Sequence, residues 1–282
     1  MAHSKKNNHT VPRCYLKNFS EDGKYIHQKL KRVFTNKEDL EKEFAYPAKL
    51  TQATTRRNFY KLKMDDTPYL VEDKFYAEGV ETFYTDIYKL LVDPNSEVMT
   101  MEQRSKLLMF FMTLHCRTPK QFEAFFKTVP EENLYELDKI KEDYKLGHIM
   151  LTAHRLIEVH EHKVIKILRI TDGSEFITSD NPVLFVDPKE NLINLDYNEH
   201  FNIANTILIP IDPKHCCVLQ NCSDKNGIPL SSVDFFYQKI IRKDVDVSFT
   251  QTLNKYVLRS ADEACYGREQ QIKAFFTLYK LV

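Results

Sequence analysis

His160-Glu161-His162-Lys163-Val164-Ile165-Lys166-Ile167-Leu168-Arg169-Ile170 is the stretch where the chain changes its hydrophobic period. Before it, apolar residues recur at helical spacing. From Val164 onward the run is β-branched and short, as strands are. Upstream, residues 71–162 read as helix-rich. A long helix is predicted over Val71–Val92, stopped by Asp93-Pro94-Asn95. Thr100 with Gln103 opens a helix to about Cys116. Thr118-Pro119-Lys120-Gln121 opens another to about Lys127, each with a capping-box pattern. Glu131–Tyr144 and His148–His162 complete the helical part.

Downstream, residues 163–282 read as β-rich. Val164–Ile170 and Glu175–Thr178 are predicted to form a hairpin across Asp172-Gly173. Val183–Val186, Ile207–Ile211 and Cys216–Gln220 are further strands. Val247–Cys265 is a last helix with Gly267 at its C-cap position, and Ala274–Leu281 a closing strand. In the N-terminal part, Val11–Phe19 reads as helical turns with Pro12 at the first helical position, Lys24–Phe34 as a strand, Asn36–Phe44 as a short helix capped by Thr35 and Glu38, and Arg57–Leu62 as a strand. The fold class is α+β: a helical N-terminal and middle part packed on a mainly antiparallel C-terminal β part. No linker or repeat divides the chain, so residues 1–282 read as one domain.

The chain has 282 residues, enough for a well-buried core, and 40 basic against 40 acidic side chains. A neutral chain has no overall field to draw it onto nucleic acid or an anionic membrane. No apolar run approaches the roughly 20 residues of a spanning helix. The polar start lacks the apolar core of a secretory leader, so the expected location is cytoplasmic, with reduced thiols. With six glycines, the sequence carries none of the Gly-rich phosphate-binding patterns. No motif names a reaction.

Four segments carry a resemblance. They are His9-Thr10-Val11-Pro12 with Tyr15-Leu16 and Phe19; Arg57-Asn58-Phe59-Tyr60 with Tyr69-Leu70-Val71-Glu72-Asp73; His115-Cys116-Arg117-Thr118-Pro119; and Phe176-Ile177-Thr178-Ser179-Asp180-Asn181-Pro182-Val183. In this order they resemble the mostly bacterial family of domains of unknown function 4238. The likeness runs over nearly the whole chain and extends to Ile209-Pro210-Ile211-Asp212-Pro213, where the family more often carries Leu and Ser. It implies a unified fold and draws attention to residues; it implies no mechanism.

Glu72 lies in the middle of the apolar face formed by Phe75, Gly79, Phe83, Ile87 and Leu90, at roughly 100° per residue. An inward carboxylate needs a cation or a chemical role. The plainer reading is an acid favoured by the dipole of the first helical turn. Glu81, nine positions on, falls on the opposite face and can share a pocket with Glu72 only if the helix bends at Gly79 or the pocket wraps around it. His115 sits on the apolar face of its helix, as a core histidine or a functional one. Arg117 ends that helix and either complements its dipole or clamps an anion. Ser179, Asp180 and Asn181 precede Pro182 at a strand end, as a self-bonded turn or as a ligand-presenting one. The resemblance raises His9 among the candidates, and implies that His9 and Asp180 face a shared cavity with Glu72 or Arg117 on its wall.

The other clusters are weak. His215, Cys216, Cys217 and Cys222 do not complete a zinc site, and Cys216 and Cys217 should point to opposite faces of a strand. His148, His154, His160 and His162 are spread around a helix. Arg56, Arg57, Lys61 and Lys63 interleave with Phe59 and Tyr60, as a single-stranded nucleic-acid surface or as the solvated face of a strand.

Two readings follow. In one, His9, Glu72, Asp180 and Arg117 are catalytic, with Glu81, His115, Asn181 and Ser179 in binding roles. The activity is then hydrolytic, in the manner of a nuclease-like effector. Carboxylates would hold a divalent cation and a histidine would move protons, acting on nucleic acid or a small anionic ligand. In the other, the same residues form a structural network in a non-catalytic binding module. Convergence around a solvent-reachable cavity favours the first; paired and dry groups favour the second.

Overall fold

The computed structural model describes residues 7–31, 45–62, 69–128, 147–187, 189, 193, 195–221 and 238–279. The expected helices Asn36–Phe44 and Glu131–Tyr144 lie outside these residues.

The fold is α+β. A five-stranded sheet has the order β10 (Ile240–Val245), β5 (Val164–Ile170), β9 (His215–Gln220), β8 (Thr206–Pro210) and β7 (Leu184–Val186). All its pairs are antiparallel except β10–β5. Both its faces are covered, which explains the nearly continuous apolar reading of β5. Ile165 and Ile167 join the core that holds Leu107 and Phe111, whereas Leu168 and Ile170 join the core that holds Leu253, Val257 and Ile272. Cys217 and Cys216 divide between the same two cores, as strand alternation requires. Burying each such aliphatic side chain contributes about 1.5–3 kcal/mol.

A second sheet has the order β3 (Tyr46–Lys49), β2 (Tyr25–Leu30), β11 (Ala264–Gly267) and β6 (Thr178–Ser179). A two-stranded ribbon pairs β1 (Asn7–His9) with β4 (Thr55–Arg57). Between them α1 (Arg13–Leu16) runs into a 3-10 turn and buries Tyr15, Leu16 and Phe19. Pro12 stands one place before α1, with an extended ψ of 140°. The helical part comprises a π-helix (Val71–Val80), α2 (Tyr84–Val92), α3 (Met101–Cys116), α4 (Pro119–Phe126) and α5 (residues 147–160). Two helices, α6 (Val247–Ser260) and α7 (Glu269–Tyr279), cover the other side. No described helix is long and apolar enough to cross a membrane.

Several elements differ from expectation, each for a local reason. The predicted Val71–Val92 helix is two helices, the first wound with i→i+5 bonds such as Glu81 N–H to Tyr76 O at 2.8 Å. The Thr100–Gln103 capping box forms. Thr118 caps nothing with its side chain; its hydroxyl is turned toward the His115 carbonyl, with Asn181 Oδ1 also in reach. The predicted strand Arg57–Leu62 ends at Arg57, since Asn58 adopts a left-handed φ of 54°. The Asp172-Gly173 hairpin is not made. Phe176 N–H goes to Pro213 O, and β6 leaves to join the second sheet. The predicted Val247–Cys265 helix stops at Ser260, and Cys265 belongs to β11. The predicted strand Ala274–Leu281 falls largely in α7, where Ile272, Phe275 and Phe276 repeat at i, i+3, i+4 and are buried together.

Candidate functional site

The candidate residues gather in three separate places. The first is centred on Arg117, whose side chain is 1% exposed at the end of α3. Its Nη1 donates to Glu81 Oε1 at 2.9 Å, and its Nη2 donates to the His9 carbonyl at 2.6 Å and lies 4.0 Å from Glu72 Oε2. Its Nε donates to the Tyr60 hydroxyl at 3.3 Å, and that hydroxyl donates back to the Arg117 carbonyl at 2.8 Å. The guanidinium carbon stands 3.9 Å from the Tyr76 ring centre. The π-helix is what lets both acids reach one cation. It has more residues per turn than the roughly 3.6 of an α-helix, so positions nine apart return to nearly the same face. His9 donates from Nδ1 to the Ala53 carbonyl at 3.2 Å, and burial holds its ring below the usual histidine range. Burial pushes the thiol of nearby Cys14 up to about 12, which disfavours its thiolate.

The second place is the Ser179-Asp180-Asn181 turn. Asp180 Oδ1 accepts from Asp262 N–H at 2.9 Å, and Oδ2 accepts from Glu263 N–H at 2.6 Å and Ala264 N–H at 3.1 Å. Asn181 Nδ2 donates to the Ser260 hydroxyl and carbonyl, and Ser179 Oγ accepts from Asn181 N–H. Lys120 donates to Ser260 O and Lys31 to Ala261 O. Together these groups satisfy the last carbonyls of α6 and the following N–H groups, which fixes where that helix ends. Burial pushes the Asp180 carboxyl up to about 6, against the three N–H bonds.

The third place is a set of buried histidines. The His115 ring lies 4.7 Å from His200 and 4.6 Å from Phe185, and His160 Nε2 bonds the His200 carbonyl at 2.9 Å. His148 stacks on Phe125 at 3.3 Å and bonds Thr152 and the Tyr197 hydroxyl. Burial, first among the causes, takes His148, His160 and His200 down to about 4 and His115 well below its ordinary value. Of the four, His148 and His160 belong to α5, the helix around which the sequence spreads its histidines.

The main solvent-reachable cavity among the described residues is elsewhere, a cleft of about 550 Å³. One wall is a face of the second sheet, where Tyr266, Gln28 and Tyr46 stand side by side in register across β11, β2 and β3. The facing wall is the 52–56 segment with Thr10. Thr54 is held there at a left-handed φ of 56°, a strained setting for a β-branched residue. Its hydroxyl donates to Val11 O, and its carbonyl accepts from the Thr10 N–H and hydroxyl. Asp180 lines this cleft, but His9, Glu72 and Arg117 do not appear on its described wall. The expected shared cavity for His9 and Asp180 with Glu72 or Arg117 is not this cleft. Arg117 gathers His9, Glu72, Glu81 and Tyr60, while His115 and Asn181 share a separate small pocket with Lys120 and His200. Of the two readings of the Arg56–Lys63 stretch, a base-stacking surface cannot use Tyr60, which is fully buried beside Arg117. Among the described residues, no three His, Cys, Asp or Glu side chains are grouped to hold a metal ion. Sequence reasoning missed Gln28, Tyr46 and Tyr266; their shared face depends on a strand pairing between distant segments.

The fold and its polar network thus define an α+β protein whose distant segments are locked by buried side-chain hydrogen bonds. The model of a family of proteins of unknown function, DUF4238, matches residues 7–271, and the chain belongs to this family. Comparison with curated proteins and with solved structures returns no match.

Two outcomes follow for stability. Asp180→Asn places an amide against three N–H donors and should cost about 1–3 kcal/mol, read as a lower urea midpoint; an unchanged midpoint contradicts the loop-fastening role. The histidines predict acid sensitivity. A folded pKa of about 4 against about 6.5 unfolded means that stability is full above 6.5 and lost as pH falls toward 4. Asp180, raised to about 6, opposes this slope, but it is one group against several histidines. Urea midpoints should therefore drop between about pH 7 and about pH 5; a flat or rising profile contradicts the burial of these rings as neutral groups.

Proposed function

We propose that the protein is a non-catalytic binding module, and that its ligand site is the cleft between the Tyr266-Gln28-Tyr46 face and the 52–56 segment. The observation that carries this reading is the state of Asp180. It is the one sequence-predicted catalytic acid that reaches the cleft, and both its oxygens are engaged by the backbone of residues 262–264. A general base or metal ligand needs a lone pair aimed at the reacting atoms. The remaining candidates support the same reading. Glu72 and Glu81 face a guanidinium in place of a divalent cation. Paired, dry polar groups match a scaffold better than an active site.

The cleft supports the binding side of the reading. Its volume falls within the range of small-molecule sites, roughly 300–1,000 Å³. Its walls mix tyrosine rings with amide and hydroxyl groups that fix orientation.

Two measurements test the proposal. Hydrolysis of bis(p-nitrophenyl) phosphate with Mg²⁺ or Mn²⁺ should not exceed buffer. A polar-fragment library followed by side-chain amide NMR should shift the Gln28 and Gln52 signals first. Turnover that Asp180→Asn abolishes at unchanged melting temperature would restore the hydrolase reading and overturn this one.

A further inference from the structure

Resting on the cleft as the ligand site, we infer that Arg56 is its anion-recognising residue, that Glu263 occupies the place of the ligand's anionic group, and that the ligand is a nucleoside phosphate. Arg56 is on β4 and Glu263 in the loop before β11, and both line the cleft. Arg56 Nη2 donates to Glu263 Oε1 at 2.5 Å.

This pair is a weak fastening held in a well-defined place. Its side chains are 40% and 60% exposed, where water and salt screen the attraction. The backbone beneath Glu263 is fixed from both sides: its N–H is bound by Asp180 and its carbonyl accepts from Lys31 N–H at 2.6 Å. A firmly positioned loop thus presents a carboxylate to an arginine that it holds only loosely. Among the described residues that arginine makes one side-chain bond, although a guanidinium offers five N–H donors in a fork suited to phosphate. A phosphate in the cleft can take the two-pronged geometry and displace the single Glu263 contact. Lys49, on the cleft wall, adds a second cation.

The rest of the ligand is read from the sheet face. Tyr266 and Tyr46 flank Gln28 across three strands; Tyr266 is largely buried, and Tyr46 is the ring open to the cleft. Aromatic surface beside an amide with both donor and acceptor suits a flat heteroaromatic ring with polar edges. Flat ring and phosphate together make a nucleoside phosphate. Asp180 acts here as a positioning residue, through the loop that carries Glu263.

The test is isothermal titration of wild type, Glu263→Gln and Arg56→Gln with adenosine 5′-monophosphate and with adenosine, each protein first shown to melt as wild type. Both side chains are half-exposed, so the variants should fold. Glu263→Gln should bind the monophosphate several-fold more tightly than wild type, because the competing carboxylate is gone. Arg56→Gln should bind it at least roughly tenfold more weakly, through the loss of its charge-assisted contact to the phosphate. Adenosine should bind weakly and alike to all three. Equal binding of both compounds, indifferent to Arg56, would overturn the anion site while leaving the cleft reading intact. Binding of neither compound to any variant would overturn the ligand class, and the fragment screen then decides the cleft separately.

Discussion

A guanidinium buried at the end of α3 is the constraint on which much of this structure depends. Arg117 cannot shed its charge, and a charge in an apolar interior must be surrounded by partners. The chain supplies them from three distant places: the His9 carbonyl on β1, Glu72 on the π-helix with Glu81 at its C-cap, and Tyr60 after β4. Each partner fixes a different segment. The N-terminal ribbon is tied to α3, the π-helix is wound so that both acids point one way, and the Tyr60 turn is locked by bonds in both directions. One residue of unavoidable charge thereby sets the relative placement of segments far apart in the chain.

Asp180 does the same work at smaller scale. Its carboxylate gathers three successive N–H groups after α6, while Asn181, Lys120 and Lys31 take the carbonyls that the helix leaves open. The loop so held carries Glu263 to the cleft and delivers Ala264 to the centre of the second sheet. The network and the cleft are therefore linked: polar groups consumed in the interior shape a wall of a large void open to solvent.

How much of this was legible in the sequence depends on the range of the interactions. β5, β7, β8 and β9 were legible nearly to the residue because two covered faces demand unbroken apolar runs. The start of α3 was legible because its capping box is local. The end of α6 was not, because the carboxylate that ends it stands about eighty residues earlier in the chain. Thr118 carried the same local signal as Thr100, and its hydroxyl was diverted to His115 and Asn181. Most of the candidate residues are buried. Their grouping was not legible. A fixed α-helical period puts Glu72 and Glu81 on opposite faces, and no sequence signal announced the π-helix that reunites them. His9 with Asp180 looked like a site because both lie in family-like segments, yet segments can be retained together for holding a fold as well as for chemistry.

The most direct test of the central claim is equilibrium unfolding of Arg117→Met beside the triple variant Arg117→Met, Glu72→Gln, Glu81→Gln. Removing the cation alone leaves a buried carboxylate facing tyrosines, and should cost about 3–5 kcal/mol. Neutralising the acids at the same time should recover a large part of that loss, because no uncompensated charge remains. A single variant as stable as wild type, or a triple variant no better than the single, would contradict the account of Arg117 as the charge around which the fold is arranged.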